Sequence, residues 1–175
     1  MARSNGTPRD LLWEAMCNAD YLTRYYGELG STLEVWDTRM TFGVLFLSSA
    51  TVVSFIDKIH AKLPEAANWI SLGLAVLTAA SSLWLALRRY TKTASLASYL
   101  SSRWSQSQWE YEQVWALVDE LKPEEILHRL QTIRSREVEW DHVARREMPR
   151  DPKIQTESFE EMISARFPQE VREAA

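Results

Sequence analysis

Three sets of residues in this 175-residue chain have types and spacings from which chemistry could be built. Glu139 and His142 form one E-x-x-H, half of the pattern by which helical bundles hold carboxylate-bridged metals. Such a site needs a second copy and further carboxylates facing inward from other helices. The only other histidines, His60 and His128, lie in a turn and at a different helix phase, so no metal site is expected. Arg129, Arg134, Arg136, Arg145 and Arg146 crowd one stretch. Planar guanidinium groups suit bidentate recognition of phosphate, and these five are the ligand-binding candidates for a small anion. Acids interleave with them, and helix-spaced charge pairs on a solvated face explain the same pattern. Cys17 is the only cysteine, which excludes an intramolecular disulfide framework and a cysteine-cluster zinc site. No basic neighbour in sequence activates it, so packing is its expected role. No glycine-rich phosphate loop is present, and nothing pairs a serine with a histidine. No catalytic residue, no cofactor and no enzymatic activity are expected.

The third set is hydroxylated and lies in apolar surroundings. Residues 40–56 and 66–87 are free of charge, seventeen and twenty-two residues long. A helix rising about 1.5 Å per residue crosses a bilayer core in roughly 20 apolar residues. The expectation is therefore a transmembrane helical hairpin, with spans about 40–56 and 67–87 and a turn containing Pro64. Trp36, Trp69, Trp84 and Tyr90 stand where interfacial aromatics would. Arg24, Arg39, Arg88, Arg89, Lys92 and Arg103 flank the hairpin, while its turn carries only Lys58 and Lys62. The positive-inside rule then puts both termini in the cytoplasm of a multi-pass protein of the bacterial plasma membrane. No removable leader is expected. On the second span Ser71, Ala75, Thr78 and Ser82 fall in a narrow arc, and the first adds Thr41 and Ser48. Such a stripe either packs helices closely or lines a water-filled path. Ser71, Thr78, Ser82, Thr41 and Ser48 are thus the pore-lining candidates, with Arg88 and Arg89 at the cytoplasmic mouth. Two spans cannot enclose a pore, so conduction would require a homo-oligomer.

The remainder reads as helix. Residues 8–29 carry apolar positions three and four apart, from Leu11 and Leu12 to Leu29. Gly27 and Gly30 weaken the end of this helix, and Ser31 with Glu34 spells a capping box for the next. A stripe through Leu96, Leu100, Trp104, Tyr111, Trp115, Val118 and Leu121 continues the second span as one long helix to Pro123. Ser107 and Gln108 interrupt it. Pro123 with Glu124 and Glu125 suits the first turn of a further helix to about Arg146. A short helix is expected near 158–167. The expected organisation is an N-terminal amphipathic helix (1–30), the hairpin (31–93), a cytoplasmic helical region (94–147) and a tail (148–175). With 20 basic and 24 acidic residues, a net charge of −4, duplex DNA binding is not expected.

This order of helices, with the segments N-A-D-Y-L-T-R-Y-Y (residues 18–26) and V-W-D-T-R (residues 35–39) and the polar stretch after Arg88-Arg89-Tyr90, resembles the SLATT family of bacterial two-transmembrane effectors. The resemblance covers roughly residues 11–146. It implies an all-α membrane protein and a pore-forming effector of antiphage defence, gated from the cytoplasm by a nucleotide or oligonucleotide or by a partner nucleotidyltransferase. Its implied partners are the lipid bilayer and further copies of itself, a tetramer for example. The alternative is a membrane-anchored helical interaction module that recruits a cytoplasmic partner without conducting.

Overall fold

A computed structural model describes residues 6–47, 57, 64–88 and 90–167, and all its regular structure among them is helical. The elements are α1 (Pro8–Leu47), α2 (Pro64–Arg88), α3 (Tyr90–Ala116), α4 (Pro123–Glu147) and α5 (Pro152–Arg166). The chain divides into two compact units: Met1–Ser31 with Ser95–Ala175, and Thr32–Ala94.

Helix starts follow local chemistry. Thr7 and Asp10 close a reciprocal cap on α1: Asp10 N donates to Thr7 Oγ1 at 3.3 Å, and Thr7 N donates to Asp10 Oδ2 at 2.9 Å. Thr7 Oγ1, which donates to Asp10 Oδ2 at 2.8 Å, and after it Thr7 N hold the Asp10 carboxyl below its usual range. Pro123 opens α4 with Glu124 and Glu125 in its first turn, and Arg145 and Arg146 sit in its last, matching the helix dipole at both ends. Asp151 caps α5 by accepting from Lys153 N at 3.0 Å and Ile154 N at 3.3 Å. Pro152 opens α5, which begins six residues earlier than the sequence suggests.

The expected break near Ser31 does not occur. α1 runs on to Leu47, and Ser31 Oγ donates backwards to Glu28 O at 2.9 Å inside the helix. Gly27 and Gly30 are close-approach points instead. A Cβ on Gly30 would stand 3.2 Å from Ser98 Oγ and 3.4 Å from Ala97 Cβ, and one on Gly27 3.3 Å from Ser101 Oγ. Ser101 Oγ donates to Thr23 O at 2.9 Å across the same contact. The long helix expected to reach Pro123 ends at Ala116, where Leu117 and Val118 tighten into turns on Val114 and Trp115.

In the first unit the buried positions of α3 are 97, 100, 104, 107, 111 and 114, and those of α4 are 126, 130, 133, 140 and 144. Steps of three and four, and one of seven between 133 and 140, place each set on one stripe. α1 adds Leu12, Ala15, Met16 and Ala19, and α5 adds Ile154, Ser158 and Met162. Fully burying each large apolar side chain contributes about 1.5–3 kcal/mol. Aromatic contacts tie the helices pairwise: Trp13 to Trp115 at 5.1 Å, Trp104 to Trp140 at 6.1 Å, and Tyr21 to Phe159 at 6.2 Å between centroids. Tyr25 pins the α4–α5 connection, its hydroxyl donating to Pro149 O and accepting from Asp151 N, each at 3.3 Å.

The transmembrane expectation is corrected. Among the described residues no helix is long and apolar enough to cross a membrane. α1 is long, but its second half carries Glu34, Asp37 and Arg39, and only residues 40–47 of its uncharged run are described. Residues 48–56, with Ser48, lie outside the described part. Along α2 the residues Gly73, Thr78, Ser81 and Ser82 interrupt the apolar run. The all-helical class stands, and the placement as a multi-pass protein of the bacterial plasma membrane with cytoplasmic termini is corrected with the spans.

Candidate functional site

Among the described residues of the second unit burial is nearly absent, and Ala94 alone is buried. Half-buried positions recur at 33, 37, 40 and 44 on α1, with Thr32 beside them, and at 74, 78 and 81 on α2, a narrow stripe along each helix. Around the rest of α2 stand Trp69, Leu72, Val76, Leu77 and Leu83, between 53 % and 75 % exposed, and on α1 Trp36, Phe42 and Phe46 at 48 % to 67 %. Large apolar side chains on several sides of a helix are ordinarily covered by a neighbour. Contiguous apolar surface of this extent marks a place where another molecule sits.

The hydroxyl candidates are spent locally. Thr78 is half-buried and its Oγ1 donates to Leu74 O at 2.8 Å, while the exposed Ser82 donates to Thr78 O at 2.8 Å. Both bonds return the hydroxyl proton to the helix's own backbone. Thr41 is exposed on α1. The side chains of Ser71 and Arg88 lie outside the described part, as does Arg89.

The arginine candidates separate. Arg129 pairs with Glu125 at 2.8 Å, Arg145 with Asp141 at 2.6 Å, and Arg136 takes both carboxylate oxygens of Glu110 from the neighbouring helix. Arg129 and Arg136 line a shallow α3–α4 groove with Trp109 and His128, about 390 Å³ in volume. Arg134 and Arg145 line a different cleft of about 700 Å³ with Glu14, Trp104 and Glu137. Arg146 is exposed. The five therefore do not converge on one anion. Among the described residues no group of histidine, cysteine and carboxylate side chains could hold a metal, so Glu139 and His142 remain apart from one. Cys17 is half-buried, and burial pushes its thiol up, away from reactivity.

Two polar constellations were hidden in the sequence. Asp20, 4 % exposed, accepts from Arg24 Nε and from Arg166 Nε, each at 2.8 Å, and Arg166 also reaches Glu112 at 2.7 Å. The group ties α5 to α1 and α3. Charge-assisted bonds with matched donors offset the cost of burying Asp20. The second is a polar layer between α3 and α4. Trp104 Nε1, Ser107 Oγ, Tyr111 Oη and Glu137 Oε1 are buried, and none makes a hydrogen bond. Glu137 occupies the core step between Ile133 and Trp140. Burial raises its carboxyl above the usual 4.5, against the nearby Tyr111 and Ser107 hydroxyls and the Arg134 and Arg136 charges. Burial, with the Glu137 charge beside it, likewise pushes the Tyr111 phenol far above 10. The signal for the second was the three-and-four spacing, which counts Ser107 and Glu137 among core positions; nothing in the sequence signalled the first.

No family model, no curated protein and no solved structure matches this chain.

Proposed function

We propose that the chain is a helical interaction module that assembles with further copies of itself through its second unit. The observation that carries this reading is the set of exposed Trp, Phe, Leu and Val side chains on α2 and the second half of α1, where none of the described residues from 32 to 84 is buried. Dispersed arginines, each of Arg129, Arg136 and Arg145 holding a carboxylate, favour a structural surface over a site for chemistry. Conduction would need spans, which the described helices do not supply, so assembly and recruitment is the reading these observations favour. The resemblance to SLATT-type effectors supports a setting in bacterial antiphage defence, with a nucleotidyltransferase or its nucleotide product switching the assembly.

Light scattering on the full chain tests the reading. Wild type is expected to grow in mass as concentration rises through the micromolar range. The triple substitution Phe42→Glu, Leu72→Glu, Leu77→Glu is expected to hold the mass of one chain with its helical circular dichroism intact. A wild-type chain that stays monomeric, or that binds lipid vesicles without self-associating, would overturn it.

A further inference from the structure

Trp104, Ser107 and Tyr111 are 4 %, 1 % and 0 % exposed, yet Trp104 Nε1, Ser107 Oγ and Tyr111 Oη make no hydrogen bond, and neither does the buried Glu137 Oε1 facing the same layer. Buried polar atoms in folded chains are nearly always paired, so four together call for a partner. The fold pairs its other buried carboxylate fully, since Asp20 holds both Arg24 and Arg166. Trp104 and Glu137 are also walls of the cleft of about 700 Å³ between α1 and α4, so the layer borders that cleft. Small-molecule sites span about 300–1,000 Å³. An indole N–H can only donate, and an ionised carboxylate can only accept. A molecule that satisfies both must bring an acceptor and a donor. The ionisable walls are Glu14, Glu137 and Asp141 against Arg134 and Arg145, three carboxylates to two guanidinium groups, which leaves one negative charge over. Arg145 is taken by Asp141 at 2.6 Å, and Arg136, whose charge also acts on Glu137, is held by Glu110.

We infer that this cleft binds a small organic cation that also carries a hydrogen-bond acceptor, the chemistry of a basic amino acid. The cationic head of the ligand donates to Glu137, whose charge burial otherwise opposes. Its carboxylate accepts from Trp104 Nε1 and the Arg134 guanidinium. Its single net positive charge balances the walls. The site lies wholly within the first unit and goes beyond the assembly proposed above, so neither reading depends on the other.

Equilibrium dialysis of the full chain against radiolabelled L-arginine at fixed ionic strength tests the site. Wild type is expected to take up one arginine per chain. Glu137→Gln keeps the shape of the side chain and removes its charge, and should weaken uptake about tenfold or more, the effect of one charge-assisted hydrogen bond. Trp104→Phe, which keeps a ring and removes the indole donor, is the second variant and should also weaken uptake. Glu139→Gln removes the same charge from an exposed position on the same helix, outside the cleft, and should leave uptake unchanged. L-Glutamate, with the opposite side-chain charge, should not displace the label. Circular dichroism on each sample shows that the helices are intact. Absence of uptake by wild type overturns the site. So do unchanged affinity in both cleft variants, equal losses in Glu137→Gln and Glu139→Gln, or displacement by L-glutamate.

Discussion

Arg166 grips Asp20 across 146 residues of chain, with Nε 2.8 Å from Oδ2, while Arg24 Nε stands 2.8 Å from the other carboxylate oxygen. One buried carboxylate thus serves two guanidinium groups, one from its own helix and one from the last.

The two sides of that contact are unequal, and their removal should differ. Asp20→Ala leaves Arg166, 17 % exposed, without its buried partner, and breaking a buried pair from one side costs about 3 kcal/mol or more. Arg166→Ala leaves Asp20 still paired with Arg24 and should cost less. Urea unfolding followed by circular dichroism ranks the two. Equal losses would mean that Arg24 contributes nothing.

Glu137 gives the pH dependence a sign. Its carboxyl is raised in the folded chain, so the folded state binds the proton more tightly than the unfolded chain does. The stability this contributes is fully present below the ordinary 4.5 and is lost as pH rises through the raised value. Glu137→Gln should flatten that slope, with the wild-type and variant melting curves drawing together at low pH and the variant melting higher at neutral pH. A constant gap across the range would remove Glu137 as the cause.

Tyr111 has a hydroxyl that is buried and makes no hydrogen bond. Leaving a polar group in that state costs about 1–3 kcal/mol, while the ring itself fills the core. Tyr111→Phe should therefore leave the melting temperature unchanged or raise it. Tyr111→Ala should lower stability by about 3–5 kcal/mol, as cavities left by large aromatics do. A clear drop for the phenylalanine would reveal a hydrogen bond that the geometry does not show.

Phenol titration adds an independent readout. Burial raises the phenol of Tyr26 to about 12 and pushes Tyr21 up as well. The share of phenolate absorbance that belongs to Tyr26 and Tyr111 should be withheld as pH passes 10 and appear together with unfolding. The same burial makes the fold lose stability as pH climbs above the ordinary value of 10. Full ionisation near 10 with helicity intact would contradict the burial of Tyr26.

Much of the helical layout was legible because it is written in local chemistry. Pro123 with two acids behind it opens α4, and the stripe through Leu100, Trp104 and Tyr111 is the face that α3 buries. Other features depend on neighbours that no local window contains. Ser31 and Glu34 have the spelling of a cap, yet α1 continues because Ala97 and Ser98 accept Gly30 against them. Ser107 looked like a gap in a stripe and is instead a buried rung of it. The uncharged runs read as spans because charge is simple to see, whereas the dilution of α2 by Gly73, Thr78 and Ser82 is spread through the run. Asp20 and Arg166 could not be paired from sequence at all, since nothing near either residue announces the other.

Glycine at position 30 makes a sharp test of that packing. Gly30→Leu forces a side chain into a gap already closed at 3.2 Å by Ser98 Oγ, and overpacking of this kind typically costs about 1–3 kcal/mol. Gly43 has nothing within 4 Å, so Gly43→Ala should instead gain up to about 1 kcal/mol of helix preference. Paired melting curves that moved the same way would overturn the contrast.

The hydroxyl of Tyr25 on Pro149 and Asp151 spans 124 and 126 residues, and the Arg166 grip on Asp20 spans more. On the ribosome the first helix therefore emerges long before the groups that complete it. Its face of Leu12, Met16 and Tyr25 stays open until α5 has been synthesised, and through that interval the nascent chain is a natural client for a holding chaperone.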